Sequence, residues 1–189
     1  MTKPRALDGS NSCVCCLPTR RHFLEGILAT GLVSSVGLMF SPTAQANEHQ
    51  AQALVLTCID FRFVGLEQSF LSRQHLEQSY DWVALAGASL ALAGFPHPAE
   101  AETFWDQLAL SKRLHNIRKV VIIDHQDCGA YASISKEKFV DLPSEQNFHA
   151  QYPTQAYEQI RQRYPDLEVE LYFAKLTGEF TLISPQRIA

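Results

Sequence analysis

Two kinds of apolar pattern alternate along this chain: short unbroken runs, and longer stretches in which apolar positions recur every three or four residues. The unbroken runs are Ala53-Leu54-Val55-Leu56-Thr57 and Lys119-Val120-Val121-Ile122-Ile123. Lacking a polar face, they read as parallel strands buried on both sides. A third strand is expected from Trp82 to Leu85, ending in the small-residue turn Ala86-Gly87-Ala88. Helices are expected at about 64–75, 99–115 and 154–164, the second with Phe104 and Leu108 four residues apart on one face. Gly94-Phe95-Pro96-His97-Pro98 breaks regular structure, and the stretch containing Leu142-Pro143 is expected to be weakly structured. Segments 167–174 and 179–183 flank Thr177-Gly178 and read as a hairpin. Strands that alternate with helices imply an α/β fold: a mostly parallel β-sheet flanked by helices, with a C-terminal antiparallel hairpin at its edge.

The first 46 residues follow another pattern. Thr19-Arg20-Arg21-His22-Phe23-Leu24 precedes an uncharged stretch from Ile27 to Phe40, and Ala44-Gln45-Ala46 supplies an A-x-A cleavage signal. This is the pattern of a twin-arginine signal peptide. Its apolar stretch falls short of the roughly 20 residues a spanning helix needs, so no stable membrane anchor is expected after cleavage; a permanent anchor is the alternative. The expected division is a signal at 1–46 and one α/β domain at 47–189, exported to a periplasm or a thylakoid lumen. A domain of that length can bury a full core. The leader holds Lys3, Arg5, Arg20 and Arg21 against Asp8 and Glu25, which leaves 12 of the 16 basic and 18 of the 20 acidic residues in the domain. A net charge of about −6 repels nucleic acid and anionic lipid, and no basic stripe offsets it.

Removing the leader also changes the cysteine count. Of five cysteines, Cys13, Cys15 and Cys16 lie in the leader, leaving Cys58 and Cys128. Both fall in polar clusters that directly follow the two apolar runs: Cys58-Ile59-Asp60-Phe61-Arg62 and His125-Gln126-Asp127-Cys128-Gly129. Ligand sites of open α/β sheets collect at such strand ends. Two thiolates and an imidazole make a donor set suited to Zn²⁺, with a fourth position open to water, substrate or a carboxylate. A disulfide between the two cysteines is the alternative reading in an oxidising compartment. Against it stand the H-x-x-C spacing of His125 and Cys128, and an export route that carries folded proteins and so permits metal loading first.

With these residues placed, the chain resembles the β-class carbonic anhydrases. The family's two signatures, C-x-D-x-R and H-x-x-C, are complete and in order as Cys58, Asp60, Arg62 and His125, Cys128. Weaker agreement extends to Ala86-Gly87 and to the Thr177-Gly178 hairpin, so the likeness runs from about Leu54 to Ile183. It implies Zn²⁺ on Cys58, His125 and Cys128, and reversible hydration of CO₂ to bicarbonate by a zinc-bound hydroxide. Asp60 and Arg62 are the implied catalytic pair. Asp60 either orients the nucleophile while paired with Arg62 or, released, becomes a fourth ligand and closes the site; an ordinary ion pair beside a structural zinc is the plainer alternative. A homodimer or higher homo-oligomer is also implied.

Several residues depart from the family pattern. Ile59 and Phe61 are bulky where small residues are usual, and Phe61 is expected to narrow or shape the pocket. Ala84-Leu85 replace the usual Arg-Asn, and only 47–52 precede the first strand, so a dimer would need a reduced interface. The apolar pair leaves open a zinc hydrolase of COS or CS₂, and a zinc-binding protein without turnover is a third reading. Gly129 is expected either to permit a close turn behind Cys128 or to be a simple loop glycine. Asp127 is read as a group near the metal or as a solvated carboxylate. His75, His97, His115 and His149 titrate near neutrality, but surface or capping roles suit them better, and Tyr131 suits helix packing.

Overall fold

The computed structural model describes residues 50–185; the leader and its cleavage signal lie outside the described residues. Strand β1 (Ala53–Thr57) leads into helix α1 (Val64–Arg73) and strand β2 (Tyr80–Ala84). Helices α2 (Ser89–Leu92) and α3 (Pro98–His115) follow, then strand β3 (Lys119–His125). Helices α4 (Gly129–Ile134), α5 (Leu142–His149) and α6 (Gln151–Arg163) lead to β4 (Glu168–Ala174) and β5 (Phe180–Leu182). No helix among the described residues is long and apolar enough to cross a membrane.

The five strands form one sheet in the order β2-β1-β3-β4-β5, parallel except for the β4–β5 pair. That is the sheet the apolar runs imply. Because β1 and β3 are buried on both faces, side-chain alternation splits them between two cores. Ala53, Val55, Val121 and Ile123 meet Phe63, Phe70 and Leu71 beneath α1. Leu54, Leu56, Val120 and Ile122 meet Phe104 and Leu108 of α3 and Ile160 of α6 on the opposite face.

The chain leaves β1 through α1 to β2 on one side, and returns through α3 to β3 on the other. The gap between the carboxyl ends of β1 and β3 is therefore the point where strand order reverses. In an open α/β sheet the crevice forms there, because the flanking connections diverge. Residue for residue, Thr57 pairs with Ile123, so the clusters that follow emerge side by side.

Several elements differ from the sequence pattern: the short helices α2 and α4 are additional, α6 starts earlier than expected, at Gln151, and α5, β2 and β3 differ as well. The stretch with Leu142-Pro143 forms α5, because Pro143 occupies the first turn, where a missing N–H costs nothing. Asp141 accepts from the Ser144 backbone N–H at 2.8 Å, while the Ser144 hydroxyl accepts from the Asp141 N–H, closing a capping box. Strand β2 begins two residues before Trp82. Strand β3 runs on through Asp124 to His125, pairing with β4 as far as Ala174.

Ile122 is 1% exposed and sits in β3, which borders the crevice and pairs with both β1 and β4. Ile122→Ala should lower unfolding stability by about 2–5 kcal/mol. Denaturant unfolding monitored by circular dichroism checks this, and a loss below about 1 kcal/mol would contradict the packing described.

Candidate metal centre

Cys58 follows β1, His125 ends β3, and Cys128 immediately precedes α4. Their ligand atoms all lie within 4.8 Å of one another, and all three residues are buried. The two sulfurs are 3.9 Å apart and free. A disulfide requires about 2.05 Å, whereas two Zn–S bonds of about 2.3 Å at a tetrahedral angle place the sulfurs about 3.8 Å apart.

His125 is prepared for the same role. Its Nδ1–H donates to the Gln126 carbonyl at 2.8 Å, which fixes the tautomer and leaves the Nε2 lone pair free. That Nε2 is buried without a hydrogen-bond partner. The Phe63 ring, 4.3 Å from the imidazole, holds its plane. An orphaned lone pair beside two free sulfurs is costly unless a cation takes it up, so the three residues fit Zn²⁺ on chemistry and spacing together. Without a metal the sulfurs share charge unequally. The Cys58 thiol is pushed down by the hydrogen bond from Cys128, against the opposing effect of burial, with the Gly87 N–H also favouring its thiolate; Cys128 is pushed up in response.

Gly87 carries a second constraint. Its φ is +80°, an added Cβ would lie 3.0 Å from Leu90 Cβ, and its N–H reaches Cys58 Sγ at 3.3 Å. Only glycine brings backbone that close in that conformation. Gly129 is different: nothing lies within 4 Å of an added Cβ, so the expected close turn behind Cys128 is absent and the residue simply opens α4.

Asp60 and Arg62 meet as expected. Arg62 Nε donates to Asp60 Oδ1 at 3.0 Å and Nη2 to Oδ2 at 2.7 Å, a fork that matches the carboxylate. This fork holds the Asp60 carboxyl down at about 2. Asp60 Oδ2 stands 4.0 Å from His125 Nε2, beside the three donors without joining them. The site therefore has its carboxylate turned to the guanidinium and its fourth side open to a cleft of about 750 Å³. Ile59, Phe61, Ala86, Phe95 and Ala130 line that cleft. Phe61 is 84% exposed and Ile59 66% exposed, so they border the mouth and do not constrict it. Of the two expected effects of Phe61, narrowing or shaping the pocket, its place in the lining and its exposure fit shaping of the rim.

Other residues fall on the outer side of the centre. Asp127 binds Arg62 directly, Nη1 donating to its Oδ2 at 2.7 Å, and so belongs to the site. Tyr131 is buried in packing, its hydroxyl donating to Asp124 at 2.9 Å. His115 pairs with Asp81 near the far end of β2, and His97 is the N-cap of α3. His75 follows α1 with φ 59°, remote from the three donors in the sequence of elements. His149 is buried against Tyr131, the rings 3.5 Å apart, and burial pushes it down to about 3, which rules it out as a shuttle near neutral pH.

Three buried carboxyls escape a sequence reading. Asp124 accepts from the Ser89 N–H and hydroxyl, and burial raises it to about 6. Glu145 accepts from the Asp127 N–H at 2.6 Å. Glu67, fully buried on α1, has neither oxygen hydrogen-bonded, and desolvation raises it to about 7. Only Asp124 leaves a trace in the sequence, as an acid directly after an apolar run; the other two are single acids within amphipathic helices.

An α/β sheet with a Cys-His-Cys cluster at its switch point is compatible with a site for one metal ion. A family model described as "Putative carbonic anhydrase" matches residues 48–184, and the chain belongs to that family. An uncharacterised protein of Rickettsia conorii is 32% identical over 139 residues, covering 70% of this chain and 75% of that one. Among solved structures, the fold is similar to a β-carbonic anhydrase of Aspergillus fumigatus, with TM-score 0.54 and 13% identity over 77% of this chain and 81% of that one. It is also similar to a tetrameric β-carbonic anhydrase of Sordaria macrospora, with TM-score 0.52 and 11% identity over 72% and 82% of the two chains.

Glu67 gives this region a pH signature. A carboxyl raised from 4.5 to about 7 on folding binds its proton more tightly in the native state, so the metal-free protein loses stability as pH rises from about 4.5 to about 7. Glu67→Gln should flatten that slope between about pH 6 and 7 and leave below it the part that buried Asp124, raised to about 6, contributes. Urea midpoints across pH 4–8 test it, and parallel profiles for variant and wild type would refute it.

Proposed function

We propose that this protein is an exported zinc carbonic anhydrase that interconverts CO₂ and bicarbonate. The observation that carries the reading is the open Cys58-His125-Cys128 centre, with Asp60 held beside it by Arg62 and an apolar cleft in front. Zn²⁺ bound to those three residues supplies the Lewis acidity that makes water nucleophilic near neutral pH.

The remaining work belongs to the protein's own side chains. Asp60, fully ionised, accepts a hydrogen bond from the attacking water and so directs its lone pair toward the substrate carbon. Arg62 fixes the carboxylate in that orientation. Ala86, Phe95 and Ala130 offer a linear, uncharged substrate a dry wall without competing hydrogen bonds. In the homo-oligomer that this reading includes, Ile59 and Phe61, both exposed at the cleft mouth, are apolar side chains that a second subunit would cover. The Arg20-Arg21 signal supports placement across a bacterial or thylakoid membrane.

Stopped-flow CO₂ hydration on the zinc-loaded protein tests the reading. Asp60→Asn and Arg62→Ala should each keep the metal and lose about 10²-fold or more in rate. Wild-type rates in both variants would make the pair structural. The apolar wall also suits COS or CS₂, so a zinc-loaded wild type that releases sulfide from COS but leaves CO₂ unchanged would replace the proposed substrate.

A further inference from the structure

Arg62 has two partners, and the second is not explained by holding Asp60. Its Nη1 donates to Asp127 Oδ2 at 2.7 Å and its Nη2 to the Asp127 carbonyl at 2.9 Å, while Nε and Nη2 face Asp60. The guanidinium thus lies between two acidic residues, one from the loop after β1 and one from the loop after β3. Asp127 itself adopts φ 57°, a conformation that costs a non-glycine residue energy unless its surroundings impose it. What imposes it is buried: Glu145 of α5 is 5% exposed and accepts the Asp127 N–H at 2.6 Å.

We infer that Asp127, anchored by Glu145, is a positioning residue that clamps Arg62 and thereby keeps the Asp60 carboxylate away from the metal position. The inference rests on the metal-site reading above and not on the identity of the substrate. To reach the three donors, Asp60 must leave Arg62. A guanidinium fixed from behind by two bonds presents its fork to Asp60 in one orientation, whereas an unclamped one swings with the carboxylate or turns to solvent. Part of the clamp, the Asp127 side chain, is 67% exposed, so its contribution is modest and salt-sensitive; the carbonyl contact and the Glu145 anchor make the arrangement directional.

The test uses the full chain and two readouts other than activity. Asp127→Gly accepts the left-handed backbone without strain and removes the carboxylate, and Asp127→Asn keeps the size while removing the charge. In the metal-free protein, solvent exchange of the Arg62 Nε–H, assigned through Arg62→Lys and followed by ¹⁵N-resolved NMR, should be slow in wild type and about threefold or more faster in both variants. With Co²⁺ bound in place of zinc, the visible d–d spectrum of Asp127→Gly should move toward that of Arg62→Ala, in which Asp60 has lost its partner. Asp60→Asn combined with Asp127→Gly should give the spectrum of Asp60→Asn alone, because the carboxylate being restrained is gone. An unprotected wild-type Nε–H, unchanged exchange in both variants, or a spectral shift that persists in the double variant would overturn the clamp. A protein that passes these tests yet fails to hydrate CO₂ would sink the proposed reaction while leaving the clamp intact.

Discussion

The parallel pairing of β1 with β3 is the constraint on which the rest of the molecule depends. It brings Cys58 and Cys128, 70 residues apart, to 3.9 Å. Neither loop can do this alone, because each supplies only part of the donor set. The strands can pair because Val55, Leu56, Val121 and Ile122 are all buried, so a one-residue slip would exchange the faces of an entire strand. Register, set by the two cores, thus becomes metal geometry.

Around that convergence the protein tolerates buried polar groups it could have avoided. His125 Nε2 and both Glu67 oxygens are buried without hydrogen bonds, and Asp124 and Glu145 are buried acids tied into short networks. Each lowers stability relative to an apolar residue of similar shape. Glu67, Asp124 and Glu145 all act electrostatically on His125, and such a concentration of costly buried groups is characteristic of functional sites. A cation held by the three donors would take up the unused His125 lone pair. Glu67 remains the one buried carboxyl with no partner in the described structure.

Much of this arrangement is legible in the chain. Unbroken apolar runs locate β1 and β3, and the polar clusters behind them name the donors and the Asp60–Arg62 pair. What escapes is whatever depends on tertiary contact. Pro143 reads as a breaker but opens α5, because first-turn placement and the Asp141 capping box outweigh its usual effect. Helices α2 and α4 are too short for a period to show. His125 reads as a loop residue, yet pairing with Ala174 extends β3 to include it. Asp127 reads equally as a group near the metal or as a solvated carboxylate, because nothing nearby in sequence reveals Arg62, 65 residues earlier. Phe61 suggests a narrowed or shaped pocket from size alone, and only its exposure in the structure places it at the rim.

The central claim is that Cys58, His125 and Cys128 hold one zinc ion and leave one position to a lighter ligand. Zinc K-edge X-ray absorption on protein purified from its native compartment addresses it directly. The account predicts one zinc per chain with a shell of two sulfurs and two nitrogen or oxygen atoms, falling to one sulfur in Cys128→Ser. Protein that carries a Cys58–Cys128 disulfide and no zinc, or a zinc shell unchanged by that substitution, would contradict it.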